Sequence, residues 1–575
     1  MGFRATNFTQ RGETMKIYDC VPGLEFDERE DLEQSPAWFL DGTHSIPPWT
    51  PMFGWFWVNF CRHGMQYGAE TLCLPRSKGW DWRYKDGGGY LTILLVDSDG
   101  EAKEREEKFR HAIRPFLENY GGLWQGFVDE MVSRYEKIKG VDSTNATNIE
   151  LLANFDYAIS TCRRMWEIHM YMMYGTYTPY VLFEQLCKHL LNIDDTHHDF
   201  HRLMSGFDNE SFRVDRGLWE YAQRLKDMGL DSVVVGIPTK EWESKLMTSD
   251  KGREFLEDFK GFLDTKAGWR MARMAEINIP TWAEEPSQAF DKMAIYLKQG
   301  KEFDLDAKRQ RLEQERIAAE KEILERISPE QRGWFSVLLK IAQNSSRFSE
   351  EHDHFLDLYC HAVIRKTCID IGKRFAYGGT IDNIDDIFFL IPDEVHRAGI
   401  NPGKFTLKSI VTRRKEEWDK WNKTGNPPII LRKNFDLSQA MEFMLKSLDP
   451  IALKVVVGKF PEVRPELKAD LYGICGSPGV AEGIARVVFK DEDLAAIQEG
   501  DILVSMSTSP AWTPVFSMIR GVVVDRGGSL SHAAIVGREY GIPVVINTIE
   551  GTAKIKSGQR IRIDANLGTV YILDK

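Results

Sequence analysis

The sequence predicts a multidomain α+β protein: a large, mainly α-helical part followed by a smaller C-terminal part that mixes strands with a helix. Three observations carry this. The chain has 575 residues, more than a single hydrophobic core ordinarily serves. From about 101 to 375, apolar residues recur at three-to-four spacing, the period of an amphipathic helix. Near the C-terminus, Gly521-Val522-Val523-Val524-Asp525 reads as a buried strand and roughly 532–540 as a helix.

Taken in order, Met1 to Thr14 are polar and unpatterned, an ordered arm or a segment ahead of an alternative start at Met15. Trp38, Trp49, Trp55, Trp57, Trp80 and Trp82 crowd the next stretch, and Ser45-Ile46-Pro47-Pro48-Trp49-Thr50-Pro51 is turn-forming. Lys85-Asp86-Gly87-Gly88-Gly89 reads as a loop into a strand. Residues 1–100 are thus a Trp/Pro/Gly-rich N-terminal part, and 101–455 a helical domain. Within the latter, 301–328 reads as one charged amphipathic helix with solvated charges, and Ile387-Phe388-Phe389-Leu390 as a short apolar strand or turn. Residues 456–475, with Pro461 and Pro465, read as a hinge linker, and 476–575 as the C-terminal domain.

Composition excludes several functions. A net charge of -12 disfavours nucleic acid and anionic membrane as partners. No apolar run approaches the roughly 20 residues of a membrane span, and no signal peptide opens the chain. The eight cysteines are scattered with no Cys-x-x-Cys, which fits buried thiols of a cytoplasmic protein rather than a disulfide or zinc framework. Asp194-Asp195-Thr196-His197-His198-Asp199-Phe200-His201 reads as a polar helix end more readily than a metal cluster, so no metal-ligand set is assigned.

The most informative segment is Gly527-Gly528-Ser529-Leu530-Ser531-His532-Ala533-Ala534 through Gly541-Ile542-Pro543. The glycine pair permits a tight turn. Ser531 is positioned to cap a helix that Gly541 and Pro543 stop. His532 then sits at a helix N-terminus, where free N–H groups and the helix dipole favour an anion. Neutral imidazole is a nucleophile near pH 7, so the turn suits a covalently held phosphoryl group; a buried histidine at a strand–helix turn is the alternative.

These residues resemble the phosphohistidine swivelling domain of the phosphoenolpyruvate-utilising enzymes, whose pattern is Gly-Gly-x-x-Ser/Cys/Thr-His-x-Ala-Ile-x-x-Arg-Glu-x-Gly-Ile-Pro. The flanks are similar too: Gly476-Ser477-Pro478-Gly479, Ser509-Pro510-Ala511-Trp512-Thr513-Pro514, and Gly558-Gln559-Arg560-Ile561-Arg562-Ile563-Asp564. Leu530 replaces the usual threonine, as in the rifampin phosphotransferase branch. Weaker likenesses to that branch's acceptor-binding domain lie at Leu203-Met204-Ser205-Gly206-Phe207-Asp208-Asn209, at Gly268-Trp269-Arg270, where Trp269 stands for the usual histidine, and at Glu351-His352-Asp353-His354.

The resemblance implies a mainly helical acceptor-binding domain followed by a β/β/α swivelling domain, with His532 as phospho-carrier and Gly527, Gly528 and Ser531 cradling the phosphate. His352 is the candidate base for an acceptor hydroxyl, with Asp353 orienting it. Arg270 and Arg374 are candidates to stabilise the transferring phosphoryl, or structural ion pairs. Trp55, Trp57, Trp166, His169 and Met173 line an apolar acceptor pocket or ordinary helix core. No Gly-x-x-x-x-Gly-Lys-Ser/Thr loop occurs, and 43 residues follow His532, too few for a (β/α)₈ barrel. The expected ATP and Mg2+ would therefore bind mainly on a separate ATP-grasp subunit, a split that resembles phenylphosphate synthases. The acceptor is expected to be a small, aromatic hydroxyl compound such as phenol; another alcohol, an enol or an antibiotic hydroxyl, or a non-catalytic phosphocarrier, are the alternatives.

Overall fold

The structure, a computed structural model, describes residues 16–18, 21, 23–42, 44–299, 303–424, 427–428, 430–432, 461–489, 491–508 and 510–574. The N-terminal arm and part of the expected hinge linker, 456–460, lie outside the described residues.

The Trp-rich stretch folds into a sheet with strand order Ser77–Lys85, Gly88–Leu95, Ala37–Leu40, Ile430–Arg432. Asp86 and Gly87 join the first two strands with φ of 50° and 83°. Positive φ at both central residues is the two-residue hairpin turn whose twist matches its strands. The last strand comes from beyond residue 429, so the N-terminal part and the helical part are one interlocked unit. They also share one core, in which Trp49, Trp57 and Trp82 pack with Trp166 and Phe348.

That core is organised on a helix of 44 residues, Asn148–Leu191, about 66 Å long at 1.5 Å per residue. A reciprocal capping box of Thr147 and Glu150 starts it, and Asn192 in the left-handed region ends it. Helices Arg62–Leu72, Pro329–His352 and Tyr359–Gly378 pack along it. The expected helix over 301–328 spans Leu305–Glu325. Leu305, Leu312, Ala319 and Ile323 are its buried face, and its charges form i,i+4 pairs such as Arg309–Glu313 on the other side. Ile387-Phe388-Phe389-Leu390, expected as strand or turn, falls at the end of a 3₁₀ helix, Ile384–Phe389. Asp386 accepts from the Asp382 and Asn383 N–H groups, which tightens its first turn.

The C-terminal domain is built on a sheet of order Leu471–Tyr472, Thr569–Ile572, Arg560–Asp564, Val480–Val488, Ile502–Ser505, Gly521–Val524, Val544–Ile546, Ile474–Ser477. The four strands from Val480 to Ile546 run parallel, and helix His532–Tyr540 crosses between the last two. A parallel crossover of this kind places the helix N-terminus at the strands' carboxyl edge, where open α/β sheets hold ligands. That edge faces the helical domain. Ser529 Oγ donates to Asp195 Oδ2 at 2.6 Å. Both Glu539 carboxylate oxygens accept from Gly206 N at 3.1 Å. Leu530, the position with threonine in other branches, is buried in the core of the helical domain.

Candidate active site

The local chemistry around His532 follows the turn. Gly527 takes φ 123°, and a Cβ there would meet Ser531 Oγ at 2.8 Å, so a side chain at 527 would close the cradle. The helix starts at His532 and ends with Gly541 at φ 60°. Ser531 occupies the cap position, but its hydroxyl makes no cap bond and its Oγ has no hydrogen-bond partner. The imidazole is partly buried. Nδ1 pairs with Thr508 Oγ1 at 2.8 Å and Nε2 with Thr513 Oγ1 at 3.2 Å, while Phe516 presents its ring edge at 6.1 Å. Thr508 comes from the loop after Ile502–Ser505, and Thr513 from the 3₁₀ helix Pro510–Ser517 that follows it.

Loss of water and the positive field of Arg270 hold the His532 pKa down to about 3. The ring is therefore neutral throughout the physiological range. A histidine exposed to water takes a proton below its ordinary 6.5, and the docked His532 does not. Its contribution to docking is fully present above pH 6.5 and is lost as pH falls toward 3. The expected result is that the His532 ring nitrogens, followed by 15N NMR, show no titration between pH 5 and 9. A midpoint near 6.5 would contradict the docked geometry.

Arg270 belongs to the helical domain and is 1% exposed. None of Nε, Nη1 and Nη2 has a hydrogen-bond partner; the guanidinium lies over the Trp282 ring at 5.8 Å. A buried cation without hydrogen bonds is costly, and a phosphoryl oxygen set is the ligand its fork fits. Asp215 and Glu350, both buried, supply long-range compensation: burial drives each carboxyl up to about 7 and Arg270 draws it back. The site thus holds one guanidinium among carboxyls poised to give up charge. Trp269, where a histidine is usual, stacks on Tyr359 with centroids 4.1 Å apart and turns its face to the edge of His354.

The docking contacts frame this chamber. Tyr540 OH reaches Asp215 Oδ2 at 3.5 Å, and Cys475 Sγ reaches His201 Nε2 at 3.6 Å. Glu539→Ala would leave the Gly206 N–H without its carboxylate. The loss of this charge-assisted pair, on the order of 1.5–3 kcal/mol, is expected to speed hydrogen exchange at Gly206 by about tenfold or more. Unchanged protection would show that the latch contributes nothing.

His352 and Asp353 are brought together, with Nε2 and Oδ1 3.1 Å apart, and burial lowers the His352 pKa to about 4. Trp57, Trp166 and His169 also meet in one ladder. Trp57 lies edge-on to Trp166 at 5.0 Å, Trp166 stacks on His169 at 5.1 Å, and His169 lies 4.7 Å from His352. Met173 is buried one helical turn beyond His169. Trp55 falls outside this group: it packs edge-on against Phe56 and Phe60 and is partly exposed. Two residues from Trp57 on a helix, it faces another direction. Arg374 is also corrected. Its Nη2 donates to the Ser143, Thr144 and Ala146 carbonyls, so it fastens a loop. His197 caps its own helix through Asp199 N, and His201 is buried against Cys475. Asp215, Glu350 and Thr508 carry no local signature, since each acquires its role from a partner distant in the chain; Asp357 and Glu539 fall within the motifs carried by the resemblance, but nothing local assigns their roles.

Residues 497–568 match the family described as PEP-utilising enzyme, mobile domain. The C-terminal part is that mobile domain. Residues 167–362 match the rifampicin phosphotransferase fourth domain, so the helical part carries a domain of rifampicin phosphotransferase type. Arg270, Glu350 and His352 lie inside the second match, and Thr508, Thr513 and His532 inside the mobile domain. Chondramide synthase cmdD of Chondromyces crocatus is 30% identical over 560 residues, which are 93% of this chain and 14% of that protein. The phosphotransferase YvkC of Bacillus subtilis is 27% identical over 378 residues, 65% of this chain and 43% of its own. A rifampicin phosphotransferase of Bacillus cereus is 28% identical over 331 residues, 56% of this chain and 35% of its own. The chain therefore spans less than half the length of each of these relatives. Among the described residues no helix is long and apolar enough to cross a membrane.

Proposed function

We propose that this chain is the phosphohistidine-bearing, acceptor-binding part of an ATP-dependent phosphotransferase. His532 receives a phosphoryl group and passes it to a hydroxyl held in the helical domain. The observation that supports this most is the mobile domain docked with His532 within the electrostatic reach of Arg270, a buried guanidinium with three unpartnered nitrogens. A phosphoryl on His532 would supply acceptors for that fork and for the orphaned Ser531 hydroxyl. Transfer of this kind depends on positioning and charge stabilisation, and both are supplied by this pairing.

In the full reading, ATP, water and the acceptor give a phosphate ester, AMP and phosphate. ATP arrives with Mg2+ on a separate ATP-grasp subunit, and the mobile domain travels between that subunit and the docked position. The absence of a Gly-x-x-x-x-Gly-Lys-Ser/Thr loop in the sequence is in keeping with a nucleotide site outside these residues. Phenol or a similar small aromatic suits walls formed by Trp57, Trp166 and His169. A larger hydroxylated acceptor is the second reading, favoured by the match to the rifampicin phosphotransferase fourth domain. The test is to charge the chain with β-32P-labelled ATP and the nucleotide-binding partner, then offer phenol, other alcohols and rifampicin. Label leaving the protein only with one acceptor class, as an ester, is the expected result. Label that stays on the protein with every acceptor would reduce the chain to a carrier.

A further inference from the structure

Next to the proposed acceptor walls, and sharing His169 and His352 with them, lies a second constellation. His169 is on the long helix, and His352 closes Pro329–His352. Asp357 follows on a π-helical segment, Asp353–Leu358. One ligand atom from each of His169, His352 and Asp357 lies within 4.8 Å of the others. The π segment matters. With five rather than four residues per hydrogen-bonded turn it brings Asp357 round to the face that carries His352 and Asp353, and such insertions recur at functional sites.

The cluster turns donor atoms toward one another. His352 Nδ1 lies 2.7 Å from the Phe348 carbonyl. A carbonyl only accepts, so Nδ1 carries the proton and Nε2 presents a lone pair. That lone pair faces the Asp353 carboxyl, with Oδ1 at 3.1 Å. His169 Nδ1 and Asp357 Oδ1 lie 3.4 Å apart, yet neither has a hydrogen-bond partner. The two residues are 6% and 2% exposed. Two buried carboxyls, Asp353 and Asp357, meet two imidazoles here, a nitrogen and oxygen donor set of the kind that binds a divalent ion. The carbonyl held by His352 Nδ1 is the outer partner that metal-ligating histidines ordinarily have.

We infer that His169, His352 and Asp357, with Asp353 beside them, form a binding site for a divalent transition-metal ion. Ligand atoms about 2.0–2.2 Å from a common ion are reached from this arrangement by closing less than an ångström. The mixed nitrogen and oxygen set selects ions such as Zn2+, Co2+ or Fe2+ over Mg2+ and Ca2+, which prefer oxygen alone. Three protein ligands leave a position open for an oxygen donor. The site shares His169 and His352 with the proposed acceptor walls, and its test by metal binding does not depend on phosphoryl transfer.

The experiment uses the full chain stripped of metal and titrated with Co2+, whose visible absorption reports nitrogen and oxygen coordination. One equivalent is expected to bind, to be displaced by Zn2+, and to be unaffected by equimolar Mg2+. His169→Gln and Asp357→Asn are each expected to weaken Co2+ about 100-fold, with the surface variant His396→Gln unchanged. Binding by the variants as tight as by the parent, or no stoichiometric binding by the parent, overturns the assignment. Should the variants fail to fold, anomalous scattering from Zn2+-soaked crystals of the parent decides it: a peak between these side chains supports the site, and a peak elsewhere or none refutes it.

Discussion

His532→Ala is expected to abolish acceptor phosphorylation, lowering the rate by about 10⁴-fold or more, as removal of a covalent nucleophile does. The fold should hardly notice. The ring is partly buried and touches two threonine hydroxyls and the edge of Phe516. The helix it begins is held by other groups: Gly541 at the C-terminal cap, Arg538 bonded to the Gly476 and Ser529 carbonyls, and the buried Ala533, Ala534 and Val536. Melting temperature is therefore expected to move by no more than a few degrees. The measurement is acceptor phosphorylation with the partner present, alongside thermal unfolding. Activity above a tenth of the parent's would remove His532 from the account.

Arg270→Met separates function from stability at the other end of the transfer. The guanidinium makes no hydrogen bond, and its compensation is the distant Asp215 and Glu350 pair. Replacing a buried charge by an apolar chain of similar volume is often neutral or stabilising. The two carboxyls already titrate near 7, so without Arg270 they take up protons. The variant is thus expected to melt at or above the parent's temperature near pH 6. Transfer from phosphorylated His532 is expected to fall by about 10²–10³-fold, the usual consequence of removing a group that stabilises developing charge. The pKa of His532 should rise as well, since the Arg270 field no longer opposes its protonation. A strongly destabilised variant with normal transfer would make Arg270 a structural residue.

How much of this was legible in the sequence depends on how local each signal is. The turn at Gly527, the helix His532–Tyr540 and its stop at Gly541 are set by residues within one segment, and the structure has them at those positions. The failure of Ser531 to cap is a finer point: it occupies the cap position, yet its hydroxyl makes no cap bond. Arg270 and Arg374 looked alike as candidate phosphate ligands. Only tertiary structure separates a guanidinium bonded to three loop carbonyls from one with no hydrogen bond. Trp55 and Trp57 were grouped by composition, while helical geometry turns them to different neighbours. The N-terminal hundred residues read as a separate stretch, yet their sheet is completed by Ile430–Arg432, a long-range pairing with no sequence signature. The same holds for His169, His352 and Asp357, which a π-helical register brings together.

The central claim is that the phosphoryl group travels on His532. The direct measurement is a rapid-quench labelling of the charged protein at alkaline pH, followed by peptide mapping. A single phosphate is expected on the peptide carrying His532, stable to base, lost in acid as a phosphoramidate is, and discharged on addition of acceptor at the steady-state rate. A phosphate stable to acid, or found on any other residue, or one that discharges more slowly than turnover, contradicts it.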